Sequence, residues 1–162
     1  VIAAEGAGVR FRDDHDLRRG TALAWDITGE LWRDRPADWQ PTSPTVAGQH
    51  LAALLHEHNL VLFECFLPDL AGHGRLGNAP QVEQIHMVFQ RIDALLGGVL
   101  ATLRPEDTLL ISSDHGNVES LHAVTHTRNP VPLLAVGAQA TAFRAVQAID
   151  GIAAIVEQVA MR

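Results

Sequence analysis

Two carboxylates and three imidazoles stand out in this sequence by type and spacing. Asp69 and His73 lie four apart around a glycine in Leu67-Pro68-Asp69-Leu70-Ala71-Gly72-His73-Gly74. Asp114 and His115 are adjacent in Ser112-Ser113-Asp114-His115-Gly116-Asn117, and His126 opens His126-Thr127-Arg128-Asn129-Pro130. Gathered at one point, such groups repel or stay idle unless a divalent cation sits among them. Mixed carboxylate and imidazole donors suit Zn2+ or Mn2+ better than Mg2+ or Ca2+, which take all-oxygen shells. Two such ions roughly 3.5–4 Å apart could bind a phosphoryl group and activate a hydroxyl nucleophile against it. Singly, each motif is ordinary: an Asp after a strand often caps a helix, and a lone His is often a satisfied core residue. The weight lies in their joint occurrence at three predicted strand ends.

The elements that must position these residues read as alternating strands and helices. Ser43-Pro44 supplies an N-cap and a proline at the first helical position, and Val46, Leu51, Leu54 and Leu55 form one apolar face. A helix is expected there, ending near Asn59. Leu60 to Leu67 is a continuous apolar run with the length of a strand buried on both faces. Val82, Ile85, Phe89, Ile92, Leu96, Val99 and Leu103 recur at steps of three and four, a long amphipathic helix stopped by Pro105. Short strands follow at Thr108 to Ser113 and Val131 to Val136, then a closing helix from Gly151 to Met161 with Asp150 as its N-cap. Residues 1–44 are less regular, with turn signals at Gly6, Gly8, Gly20 and Gly29 and one strand expected at Thr21 to Ile27. Strands separated by helices imply parallel crossovers, hence an α/β layered fold with a mostly parallel sheet. Catalytic groups in such sheets gather beyond the carboxyl ends of the strands.

Composition narrows the functions further. The 162 residues fit a single domain, divided into an irregular lead-in (1–44) and a regular core (45–162). A net charge of -7 without basic runs gives no footprint for nucleic acid or an anionic membrane, and the expected context is cytoplasmic. All twelve basic residues are Arg, which excludes a P-loop lysine or a Schiff-base lysine. The single Cys65 lies in an apolar run, where a buried small hydrophobe is expected. Nine His in so acidic a chain is a surplus that metal binding would explain. His50, His56 and His58 are expected on the surface, His122 in a solvent-facing loop, and His86 half-buried on the long helix. Arg75 and Arg128 flank the candidate ligands and could hold an anionic group. Asn117 and Glu119 fit better as groups that orient imidazoles than as ligands.

Asp114-His115-Gly116-Asn117-Val118-Glu119 followed by His126-Thr127-Arg128-Asn129-Pro130-Val131-Pro132 closely resembles the C-terminal metal motifs of cofactor-independent phosphoglycerate mutase and phosphopentomutase, members of the alkaline phosphatase superfamily. Asp69-Leu70-Ala71-Gly72-His73 is similar to that family's Asp-x-x-Gly-His element, and the resemblance covers about residues 45–162. It implies an alkaline phosphatase-like fold, incomplete on the N-terminal side. It also implies that Asp69, His73 and His126 bind one metal while Asp114 and His115 bind the other, each Mn2+ or Zn2+. The family adds an Asp from its first strand and a Ser or Thr nucleophile from N-terminal sequence, and no matching residues occur here; Asp26 with Thr28 is the best internal substitute. The expectation is therefore a metal-binding C-terminal piece of a phosphomutase- or phosphatase-type enzyme acting on a small phosphorylated or sulfated metabolite. Its start at Val1 rather than Met agrees with a piece of a longer protein. Alone it should be catalytically silent, hold one metal or none, and self-associate, as a homodimer, through an exposed sheet edge. The alternative is a non-catalytic metal-binding or interaction domain that kept the ligand set.

Overall fold

Ser43 and Pro44 start a helix as their chemistry dictates. In the computed structural model, which describes residues 6–123 and 125–160, the Ser43 hydroxyl accepts from the Val46 N–H at 3.3 Å. The helices lying wholly among the described residues are α1 (Asp14–Arg18), α2 (Pro44–Ala53, continued by a 3-10 turn Leu54–His56), α3 (Leu67–Gly72), α4 (Gln81–Thr102) and α5 (Gly151–Ala160). Two strands, β1 (Thr108–Ser112) and β2 (Leu133–Gly137), lie between α4 and α5, with a 3-10 turn Ala140–Ala145 after β2. Alpha α1 is closed by a capping box in which Asp13 and Asp16 each accept the other's backbone N–H.

Helices α2 and α4 cross at backbone contact, because each presents a glycine to the other. A Cβ on Gly48 would lie 2.0 Å from the Leu95 carbonyl oxygen, and one on Gly98 would lie 2.0 Å from that of Thr45. Around this crossing the core closes: Ile27, Ala47, Leu67, Ala71, Val88 and Leu95 are buried together, with Phe63, Cys65, Ile85 and Ile92 packed against them. Burial pushes the Cys65 thiol up from its ordinary value, the behaviour expected of a small core hydrophobe. The short helix α3 is thus seated on α4 by Leu67 and Ala71, and it carries Asp69 and leads into His73.

Three expectations are corrected. Thr21 to Ile27 is not a strand. Buried Asp26 accepts from the N–H groups of Gly29 (2.9 Å) and Leu31 (2.7 Å), and Ile27 adopts a positive φ of 74°; a local carboxylate-to-backbone turn has displaced the ladder. Leu60 to Leu67 forms no strand among the described residues; Leu62 is 90% exposed, the Phe66 backbone is already helical, and Pro68 in the first turn makes Leu67 the start of α3. Finally, the sheet among the described residues has two strands, and they run antiparallel, Thr108 opposite Gly137 and Ser112 opposite Leu133. A parallel pair needs a crossover, commonly helical. The connection from 113 to 132 is instead an irregular loop that turns back on itself. Among the described residues the structure is therefore mixed α/β, its sheet a two-stranded antiparallel one.

The glycine crossing makes a clean comparison within one helix. Gly97, unlike Gly98, has nothing within 4 Å of an added Cβ. Gly97→Ala should stabilise the chain by up to about 1 kcal/mol through helix propensity, whereas Gly98→Ala should destabilise it by roughly 1–3 kcal/mol through overpacking. Urea titrations of both variants give the two values; equal effects would mean that α2 and α4 do not meet at this point.

Candidate metal-binding site

Asp69 sits in the first turn of α3 and His73 at its C-cap, so one helical turn sets both on the same face. The segment leaving β1 carries Asp114 and His115. A single antiparallel bridge, Gly116 opposite Thr127 with the Thr127 N–H donating to the Gly116 carbonyl at 2.8 Å, returns the chain alongside it. That bridge stacks the His126 ring on His115 at 3.5 Å between centroids and 11° between planes.

The donors converge on one carboxylate oxygen. Asp69 Oδ1 lies 3.0 Å from His126 Nε2 and 3.3 Å from His73 Nε2, and the two imidazole nitrogens are 3.3 Å apart. Ligands bonded at about 2.0–2.1 Å around a tetrahedral ion are separated by about 3.3 Å, so these three atoms already form a face of that size. One donor atom each from Asp69, His115 and His126 also lies within 4.8 Å of the others. His115 Nδ1 is buried without a hydrogen-bond partner, a condition that native proteins seldom leave unanswered. The donor set therefore fits a transition-type divalent cation. Asp114 stays outside the group: its side chain is 77% exposed, with Oδ2 3.4 Å from His115 Nε2.

Neighbouring groups hold this arrangement. Asn117 is buried, and its Nδ2 donates to Asp69 Oδ1 at 2.7 Å and lies 3.3 Å from the Asp69 carbonyl oxygen. It reaches that far because residue 72 is glycine; a Cβ there would fall 2.4 Å from Asn117 Oδ1. Glu119 accepts from the Thr127 hydroxyl, from Asn129 Nδ2 at 3.0 Å and, through its other oxygen, from the Asn117 N–H at 2.7 Å. Sequence reasoning singled out Asn117 and Glu119 but missed Thr127 and Asn129, whose short polar side chains two positions apart just after His126 were the available signal.

The remaining candidates lie elsewhere. Arg75 and Arg128 are exposed. His56, His58 and His122 are exposed as expected, but so is His86, because α4 turns that position away from α2 and α3. Asp26 spends both carboxylate oxygens in its own turn, and the Thr28 hydroxyl accepts from Arg91 at 3.2 Å. That pair serves the lead-in loop.

The Glu119 bonds, the Thr127 hydroxyl first among them, pull its carboxyl down from 4.5 to about 2. A depressed carboxyl stabilises the folded form fully above the unfolded value of 4.5, and that contribution is lost as pH falls from there through about 2. A carbon-detected NMR titration of the Glu119 carboxyl should therefore find its midpoint near the lower figure. A midpoint in the ordinary glutamate range would mean that the bonds to Thr127 and Asn129 are not held in solution.

Comparison with known proteins agrees with this geometry. A family model described as the metalloenzyme superfamily matches residues 39–162. Phosphopentomutase of Clostridium beijerinckii is 36% identical over 99 residues, which cover 60% of this chain and 22% of that protein. Phosphopentomutase of Chromohalobacter salexigens is 47% identical over 50 residues, covering 31% and 12%. The 2,3-bisphosphoglycerate-independent phosphoglycerate mutase of Rhodopseudomonas palustris is 31% identical over 111 residues, covering 62% and 21%. The chain thus spans about a fifth or less of the length of these curated relatives, and no solved structure matches it. With three donors already at ligand spacing and most of the chain matched, this protein belongs to the metalloenzyme superfamily.

Proposed function

We propose that this chain is the metal-binding portion of a phosphomutase- or phosphatase-type enzyme acting on phosphate or sulfate esters through two divalent cations. The observation that carries the reading is the triangle of Asp69 Oδ1, His73 Nε2 and His126 Nε2, with edges of 3.0 to 3.3 Å. These three residues would hold one Mn2+ or Zn2+. His115 and the outward-facing Asp114 would contribute to a second. The phosphomutase names of the relatives support a small phosphorylated substrate for the whole protein. Also part of this reading is a layered parallel sheet in the parent, completed by sequence outside residues 1–162, from which the nucleophilic Ser or Thr and a further Asp ligand would come.

Ions bound here would neutralise charge on the ester oxygens and lower the pKa of a nearby hydroxyl. The chain's own residues prepare for that. Asp69 places negative charge beside two imidazoles, and Asn117 fixes its carboxylate by donating to Oδ1, so the oxygen that faces His73 and His126 is the one already ordered. The His115 ring stacks on that of His126 and so supports it from one side. Arg75 and Arg128, flanking the motifs and free in solvent, are suited to the anionic end of a substrate.

Elemental analysis after loading with Zn2+ or Mn2+ and dialysis tests the ligand reading. About one equivalent should remain on the chain, and His126→Ala or Asp69→Asn should release it; metal content unchanged in His126→Ala would remove the assignment. The loaded chain should not hydrolyse p-nitrophenyl phosphate. Turnover that follows metal content would locate the nucleophile within residues 1–162 and overturn that part of the proposal.

A further inference from the structure

The loop between the two metal motifs is held by little backbone. Among the described residues one bridge, Gly116 to Thr127, joins the outgoing and returning segments with a close N–H to carbonyl contact, and the other backbone bonds of the loop, Ser120 to Asn117 and Ala123 to Ser120, are local turns. A single bridge fixes separation but leaves the returning strand free to twist about it. Twist matters here, because His126 follows the loop immediately and its Nε2 must meet both Asp69 and His73 within 3.3 Å. Something has to set that angle.

Glu119 spans the gap. Its Oε2 accepts the Asn117 N–H on the outgoing side, while its Oε1 accepts the Thr127 hydroxyl and the Asn129 amide on the returning side. Asn117 in turn holds Asp69 through its side chain. One carboxylate therefore closes a relay from Asp69 through Asn117 to the residues on the far side of His126. The Glu119 side chain is itself exposed and packs into no core, so its bonds serve orientation more than burial. Three donors from two segments also match what an ionised carboxylate can accept and an amide cannot, since a glutamine offers one accepting atom.

We propose that Glu119 is a positioning residue that fixes the approach of His126 to Asp69 and His73, and so sets the metal affinity of the group. The proposal rests on the reading of Asp69, His73 and His126 as metal ligands. Removing such supporting partners lowers affinity on the order of 10- to 100-fold.

Cobalt provides the test, since its visible spectrum reports ligand geometry independently of any catalytic assay. Wild type, Glu119→Ala, Glu119→Gln and His126→Ala are titrated with Co2+ in competition with a chromophoric chelator, alongside thermal melting of each metal-free protein. Wild type should bind, His126→Ala should not, and Glu119→Ala should bind roughly 10- to 100-fold more weakly with an altered band at saturation. Glu119→Gln, retaining one arm of the brace, should fall between wild type and Glu119→Ala. A Glu119→Ala protein with wild-type affinity and spectrum, beside a silent His126→Ala, overturns the role of Glu119 alone. If wild type binds no Co2+, or His126→Ala binds as well as wild type, the ligand reading itself fails. Should Glu119→Ala not fold, Thr127→Val with Asn129→Ala cuts the same brace from the other side. An unaltered Co2+ spectrum and affinity in that double variant would be equally decisive against the proposal.

Discussion

Asp69 Oδ1 is the point on which this structure turns. An amide donates to it at 2.7 Å and two imidazole nitrogens approach it at 3.0 and 3.3 Å while facing each other at 3.3 Å. Neutral imidazoles offer one N–H and one lone pair each, so two Nε2 atoms crowded onto a shared oxygen have few compatible hydrogen-bond patterns. A cation bound there, as proposed, would relieve the conflict by accepting lone pairs from both rings and from the carboxylate. The features around it follow: residue 72 must be small enough to admit Asn117, Asn117 must be buried, and the chain must turn back at Gly116 to bring His126 over His115.

The helical part of the molecule keeps that point in place. Alpha α3 has only six residues, too few for a helix to persist on its own, so its position comes from tertiary contact. Leu67 and Ala71 point into the core that α2 and α4 make by crossing at Gly48 and Gly98. Gln84, buried on α4, accepts from the Leu76 N–H at 2.8 Å and donates to the Ala79 carbonyl at 2.7 Å, which pins the loop after His73 to the same helix. The glycine crossing is thus connected to the ligand geometry through one short helix and one buried amide.

Much of this was legible in the residues, and the failures share a cause. Ser43-Pro44 and the three-four spacing from Val82 located α2 and α4, because capping and amphipathic burial are local. The runs Thr108 to Ser113 and Val131 to Val136 became β1 and β2 with their ends shifted by one or two residues. Apolar runs do not name their partners, however. Leu60 to Leu67 has strand composition, yet among the described residues nothing pairs with it, and Pro68 draws its last residue into α3. The parallel direction was generalised from strands separated by helices, whereas the link from 113 to 132 shows no helix among its described residues and β1 and β2 pair antiparallel. At Thr21 to Ile27 the side chain of Asp26 decided the outcome, a competition between carboxylate and ladder that apolar patterning does not register.

The two pairs of acidic and imidazole residues, equal in the sequence, are unequal in the fold, and the difference is one of support. Asp69 and His73 ride on a helix seated in the core, and Asn117 holds the carboxylate between them. Asp114 has no such brace among the described residues; its side chain stands 77% exposed, with its Oδ2 3.4 Å from His115 Nε2. An exposed aspartate pairs weakly and moves freely, whereas a bound ion demands fixed donors. On the two-ion reading, the first ion can therefore be gripped by elements this chain folds for itself. The second gains its rigidity only when further donors close over Asp114 and the orphan nitrogen of His115. Occupancy of the two positions should then differ by the ordering cost of that outward-facing side chain, which makes the helix-borne group the one that organises the site.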